Sequence, residues 1–300
     1  PTILPPSGPL RRAVSELDAG ESWLVEPEQL DDSGRLWRPG VRIGVERGSW
    51  FQRTECFGPV LGVVRVEDLD EAIATQNDSV YGLTGGIHAL DPTEVDRWLD
   101  RVEVGNAYVN RAITGAIVRR QPFGGWKRSS VGPGAKAGGP NYLFQFLRRG
   151  DDRSVGLDAV ATSYRRAWDG EFAVEHDPSG LRSESNVLRY RPVSRVVARH
   201  DSTTDDLLAR LRLASRVSGV ELVESCGSTL SDDAFAASLR PTDGVRLLVE
   251  PTDELRRALI EREIWFDTAT PSADGRIELL GWVREQAVSR TLHRHGRLPT

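Results

Sequence analysis

The sequence predicts an α/β protein built on parallel sheet, and three observations carry that prediction. From Pro59 to Asn110, β-branched apolar runs alternate with amphipathic stretches, the pattern of strand–helix–strand crossovers. A second alternation of the same kind runs from Val187 towards the C-terminus. Directly after the first lies Pro122–Phe146, with six glycines and three prolines in twenty-five residues. Open α/β folds place ligands at loops beyond their strand ends.

Taken in order, Leu10, Val14 and Leu17 recur at helical spacing after Ser7, which predicts a helix with Ser7 as its N-cap. Residues 22–25 read as a short strand. Residues 31–50 mix glycine, proline and charge and read as irregular. The run 60–66 (VLGVVRV) is expected to be a buried strand. Residues 68–77 follow as a helix with acidic residues in the first turn, where the helix dipole favours them. Residues 81–88 read as a strand loosened by glycine. Asp91, Pro92 and Glu94 then suit the N-cap, N1 and N3 positions of a helix. Val95, Trp98, Leu99 and Val102 form its apolar stripe, Gly105 stops it, and 106–110 is a further strand.

No helix or central strand tolerates the glycine and proline density of 122–146. Phe123, Trp126, Tyr142 and Phe146 set the stretch apart from a flexible linker, which is small and polar. It reads as a rigid loop with exposed amides. Residues 148–186 are charged and weakly periodic and read as a partly ordered connector. Beyond them, strands are expected at 188–198, 220–223, 245–249 and 264–266, and helices near 203–214, 231–239, 252–261 and 279–293. The domain division expected is 1–150, a connector 151–186, and a smaller α/β domain 187–300. The second alternation lacks a G-x-G-x-x-G turn, which argues against a dinucleotide site there.

Composition narrows the classes. Hydrophobic residues at 39%, charged residues at 28% and a mean hydropathy of -0.38 suit a soluble globular protein, and no apolar run is long enough for a transmembrane helix. A net charge of -5 gives no basic footprint for nucleic acid. The two cysteines, Cys56 and Cys226, lack the spacing of a zinc site or disulfide framework and fit a reducing cytoplasm. The five histidines show no metal-binding spacing, and His293 and His295 read as solvated. The chain begins at Pro1 and contains no methionine, which points to a piece of a longer polypeptide.

Two motifs carry candidate chemistry. In Glu55-Cys56-Phe57-Gly58-Pro59-Val60, Glu55 could accept hydrogen bonds from sugar hydroxyls and Phe57 could pack on a flat ring. The alternative is a surface glutamate beside a core phenylalanine. Cys56, next to Glu55 and Phe57, lacks the cationic surroundings of a reactive thiolate and reads as structural, as does Cys226. Arg119, Arg120, Lys127 and Arg128 flank the glycine-rich loop. They would either attract an acidic substrate or stand solvated.

These residues resemble a known family. Glu55–Val60 and Pro122-Phe123-Gly124-Gly125-Trp126-Lys127-Arg128-Ser129 resemble the E-x-FGP-V and PFGG-x-K-x-S motifs of the aldehyde dehydrogenase superfamily. Residues 110–121 running into Lys136-Ala137-Gly138-Gly139-Pro140-Asn141-Tyr142-Leu143 are more specific. They resemble L-glutamate γ-semialdehyde (1-pyrroline-5-carboxylate) dehydrogenase, especially the form fused to proline dehydrogenase in bacterial proline utilization A proteins. Residues 186–192, 284–289 and 293–296 look like the C-terminal extension of the long members. The resemblance implies the C-terminal part of a dehydrogenase catalytic domain, followed by a smaller dehydrogenase-like α/β domain thought to help close a tunnel for the intermediate.

The roles it implies are specific. Glu55 would bind the ribose hydroxyls of NAD and Phe57 would pack near the nicotinamide. Gly138 and Gly139 would hold the substrate's α-carboxylate through backbone amides, and Phe146 would pack on its aliphatic part. The family's nucleophilic cysteine, catalytic-site glutamate and oxyanion asparagine lie in an upstream segment. Cys56 occupies a variable motif position, so no catalytic residue and no metal site is expected here, and the chain alone should be inactive. FAD is expected only if a proline dehydrogenase domain lies upstream. The partners implied are a small-molecule substrate, the upstream part of the same polypeptide and a possible second copy in a homo-oligomer. Two other functions stay open: a non-catalytic α/β module for assembly or tunnel closure, and a dehydrogenase for another aldehyde such as succinate semialdehyde.

Overall fold

The computed structural model describes residues 4–118, 120–132, 134–147, 150 and 152–293. Its backbone separates into two compact units, Pro1–Val80 with Asp96–Val102, and Tyr81–Val95 with Glu103–Thr300.

The first unit runs α1 (Gly8–Ser15), β1 (Ser22–Val25), β2 (Glu28–Gln29), β3 (Trp37–Arg38), β4 (Gly40–Ile43), α2 (Trp50–Arg53), β5 (Val60–Val63) and α3 (Leu69–Asn77). β4 is the centre of a three-stranded sheet, antiparallel to β1 and parallel to β5. Residues 31–50, expected to be irregular, therefore supply a central strand. The misleading residue is Arg42, which reads as surface charge but is 1% exposed. It pairs with Glu21 at 2.8 Å, donates to the Ala13 carbonyl at 2.9 Å, and packs over the Trp23 and Phe51 rings. That contact ties α1 to the sheet. β5 is shorter than the apolar run and only half-buried, with Leu61 exposed. α3 starts as its sequence dictates, with Asp68 Oδ1 accepting from the Glu71 N–H at 2.8 Å.

The second unit runs β6 (Tyr81–Gly82), β7 (Thr84–Ile87), α4 (Pro92–Arg101, whose residues from Asp96 group with the first unit), β8 (Asn106–Val109) and β9 (Trp126–Lys127). It continues with α5 (Leu157–Ala167), β10 (Glu184–Pro192), β11 (Arg195–His200), α6 (Asp205–Ser218), β12 (Glu221–Cys226) and α7 (Asp232–Ser238). β13 (Gly244–Leu247), α8 (Asp253–Glu261), β14 (Phe266–Asp267), α9 (Gly275–Glu278) and β15 (Val283–Thr291) complete it. One sheet, β12-β11-β13-β14, is wholly parallel. Val196 and Ala198 face one core with Tyr164, Leu208, Leu211 and Trp282. Val197 faces the other with Phe235, Leu255 and Leu259. Both faces are covered, as a parallel sheet requires.

The other sheet has the order β10-β15-β8-β7. β7, β8 and β15 are parallel, while β10 runs antiparallel to β15 with Tyr190 opposite Glu285. Three expectations change here. The strands at 60–66, 81–88 and 106–110 do not share one sheet: β5 pairs with β4, and the far neighbour of β8 is β15, from the other end of the chain. Residues 279–293, expected to be helical, form a short 3-10 turn and then β15. Glu285, Gln286 and Ser289 of this strand are polar yet buried and hydrogen-bonded, Gln286 to the Val104 carbonyl and Ser289 to Asn186. The expected connector carries α5, whose Val160 and Tyr164 are fully buried, and the Tyr164 hydroxyl donates to the Ser272 carbonyl at 2.6 Å. Among the described residues, no helix is long and apolar enough to cross a membrane, and no cluster of His, Cys, Asp and Glu could hold a metal ion.

Candidate functional site

The two motifs lie in different units, and each is built from its own surroundings. In the first unit, α2 ends at Arg53 and the chain turns through 54–59 into β5. A Cβ at Gly58 would fall 2.1 Å from Leu10 Cδ1 of α1, so a side chain there would have to displace Leu10. The turn presents Glu55 to solvent and leaves Phe57 88% exposed at φ 51°. The core-phenylalanine alternative therefore fails. A bulky residue at positive φ is held against an intrinsic cost of about 1–2 kcal/mol. An exposed carboxylate and an exposed aromatic ring thus stand two residues apart on this turn. Cys56 points back, its thiol 3.6 Å from the Thr54 carbonyl, and burial raises its pKa against the opposing pull of Arg42 and Arg12. That environment suits a structural thiol.

In the second unit the glycine-rich stretch is ordered by short pairings. Phe123 and Ala137 exchange both backbone hydrogen bonds, at 2.9 and 2.8 Å. The chain then turns at 136–139, closed by the Gly139 N–H on the Lys136 carbonyl at 3.0 Å. Gly138 sits at φ 73°, where a β-carbon is strained. It is exposed, and among the described residues no hydrogen bond from its N–H is found. Gly138 thus offers an open amide, whereas the Gly139 amide is engaged within the turn. Phe146 ends a 3-10 turn, Tyr142–Phe146, 68% exposed and edge-on to Tyr142.

The motifs alone gave no sign of what lies beneath this turn. Lys136 is 0% exposed, and its Nζ donates to Asn106 Oδ1 at 3.0 Å and to the Gly124 carbonyl. Glu285 of β15, 6% exposed, accepts the Lys136 N–H at 3.0 Å through Oε2 and the Asn141 side-chain amide through Oε1. Asn141 also donates to the Tyr190 hydroxyl at 3.0 Å, which donates to Glu171 at 2.8 Å, and Arg276 donates to Asn141 Oδ1. Burial pulls the Lys136 pKa down to about 7, with Glu285 opposing, and pushes the Glu285 carboxyl upward, with Asn141 and Lys136 opposing. Lys136 and Asn141 were visible as parts of the motif. Glu285 was hidden in a stretch that read as a helix.

Each of the described flanking cations faces a carboxylate. Arg120 faces Glu184 at 3.7 Å, Lys127 pairs with Glu103 at 2.6 Å, and Arg128 pairs with Glu263. Arg119, His295 and the rest of the chain beyond His293 lie outside the described residues. Cys226 and Cys56 form no disulfide.

A model of the aldehyde dehydrogenase family matches residues 13–149. The 1-pyrroline-5-carboxylate dehydrogenase of Staphylococcus aureus (strain JH1) is 39% identical over 135 residues, covering 45% of this chain and 26% of that protein. The structure of proline utilization A (PutA) from Corynebacterium freiburgense is similar over 99% of this chain and 32% of its own, with 44% identity and a TM-score of 0.86. The chain therefore spans about a quarter to a third of the length of these relatives. Residues 13–149 thus match a model of the aldehyde dehydrogenase family, and the chain as a whole is similar in fold to about a third of PutA.

Proposed function

We propose that this chain forms part of an NAD-dependent dehydrogenase that oxidises L-glutamate γ-semialdehyde, the open form of 1-pyrroline-5-carboxylate, to L-glutamate in proline catabolism. The observation that carries this reading is the open Gly138 amide in a turn braced from beneath, within a segment 39% identical to a 1-pyrroline-5-carboxylate dehydrogenase. An N–H fixed at positive φ and unobstructed by a side chain suits a carboxylate. Gly138 holds the α-carboxylate through its N–H, Gly139 keeps the turn in shape with its own N–H on the Lys136 carbonyl, and Phe146 covers the aliphatic carbons. Glu55 holds the ribose hydroxyls and Phe57 packs against the nicotinamide, which when bound accepts the hydride. The nucleophilic cysteine belongs to a part of the polypeptide outside this chain, and the chain alone is inactive.

The similarity to PutA supports fusion to a proline dehydrogenase, with FAD bound there, and a cytoplasmic location and homo-oligomeric assembly complete the proposal. Residues 151–186 pack through α5 into the same core, and residues 187–300, whose β15 pairs with β8, take no part in the chemistry and serve its structure. The test is the steady-state rate of the parent polypeptide with glutamate semialdehyde and with succinate semialdehyde. The reading requires the larger kcat/KM for glutamate semialdehyde, and the reverse order would contradict it.

A further inference from the structure

We infer that Glu285 is a positioning residue for substrate recognition: from β15 of the C-terminal region it fixes both ends of the turn whose Gly138 N–H faces the substrate carboxylate. This inference rests on the proposed function and deepens it. The geometry is a bracket. One carboxylate oxygen holds the Lys136 N–H and the other holds the Asn141 amide, so four residues, Ala137 to Pro140, hang between two points on one side chain. Glu285 is itself fixed by the β15 ladder, with Tyr190 opposite it on β10 and Ala287 beside Asn106 of β8. Its backbone carbonyl accepts the Trp126 indole N–H at 2.8 Å, which ties in the first arm of the glycine-rich loop.

A buried carboxylate at this point is expensive unless its acceptors are filled, and here both oxygens are filled by donors from the loop. A hydrophobic residue would fill the space but would leave the Lys136 N–H and the Asn141 amide without acceptors. The arrangement sets the direction of the Gly138 N–H without touching substrate. Specificity for the α-carboxylate thus depends on a residue about 150 positions further along the chain, in a region with no catalytic groups of its own.

Glu285→Gln keeps the shape but turns an NH₂ donor towards one of the two donors it must hold, so one end of the bracket is released. In the parent polypeptide, E285Q is expected to raise KM for glutamate semialdehyde about tenfold with kcat changed less than about threefold. KM for NAD, and kcat/KM for butanal, which has no carboxylate, should stay within about twofold of wild type. Asn141→Ala releases the other end and should show the same selectivity, which keeps the test available if E285Q does not fold. An equal loss with both aldehydes, or no change in KM for the semialdehyde, would overturn the positioning role. A wild-type enzyme that does not prefer the semialdehyde to butanal would instead overturn the substrate reading, and the inference with it.

Discussion

Residues 54–59 and 136–141 are both short turns that contain glycine and proline, yet they are built in opposite ways. The first offers side chains: Glu55 and Phe57 stand in solvent, and the backbone beneath Phe57 is held at positive φ. The second offers backbone: Gly138 has nothing to present but its amide, and the turn is held by buried polar groups, one of which, Glu285, is remote in sequence. A side-chain site can be recognised from its own few residues. A backbone site needs a scaffold that its motif does not contain. Substitutions in the two turns should therefore differ in kind.

The largest difference expected is in stability. Glu285→Ala strands two buried donors and should destabilise the protein by about 3 kcal/mol, read by urea unfolding. Glu55→Ala, on the exposed turn, should stay within about 0.5 kcal/mol. Equal effects would erase the contrast.

Backbone strain gives the next test. Gly138→Val places a β-branched residue at φ 73° and should cost about 1–2 kcal/mol, with a raised KM for the carboxylate substrate. Phe57→Gly relieves φ 51° and should stabilise by about 0.5 kcal/mol or leave stability unchanged, while KM for NAD rises. A large stability loss from Phe57→Gly would mean that the ring is structural.

The pH dependence sharpens the picture of the buried side. The folded state holds Lys136 near 7, below its ordinary 10.5, so between those values the unfolded chain binds the extra proton and stability rises with pH. Below about 7 the cost of charging the amine is fully present. Glu285, raised by burial, has the opposite slope in a window that starts at its ordinary 4.5. Wild type should therefore gain on Lys136→Met in urea unfolding as pH moves from 7 to 9.5. A flat difference would mean that the amine titrates normally. The smallest effect expected is that of Cys56→Ser, which should leave kcat/KM within about twofold, because burial raises the thiol's pKa.

Two of the local capping signals in the sequence are seen as hydrogen bonds, whereas Ser7 stands at the N-cap of α1 without a side-chain bond. Asp68 and Asp91 cap the first turns of α3 and α4, and the glycine-rich stretch is the ordered turn that its aromatics demanded. What could not be read was burial of polar residues. Arg42 hid a central strand, and β15, with Glu285, Gln286 and Ser289 buried, read as a helix. Partner choice between strands was equally hidden, since β8 takes a neighbour some 180 residues away. Hydrophobic periodicity registers how far a residue sits from water only when burial and apolarity coincide. At the substrate turn they do not.

The central claim is that the Gly138 amide receives the substrate's α-carboxylate. A crystal structure of the parent polypeptide with its product, L-glutamate, tests this most directly. The account predicts a carboxylate oxygen about 2.9 Å from the Gly138 nitrogen, with Glu285 still bridging Lys136 and Asn141. An α-carboxylate held by arginine or lysine side chains elsewhere, with the Gly138 N–H facing solvent, would contradict it.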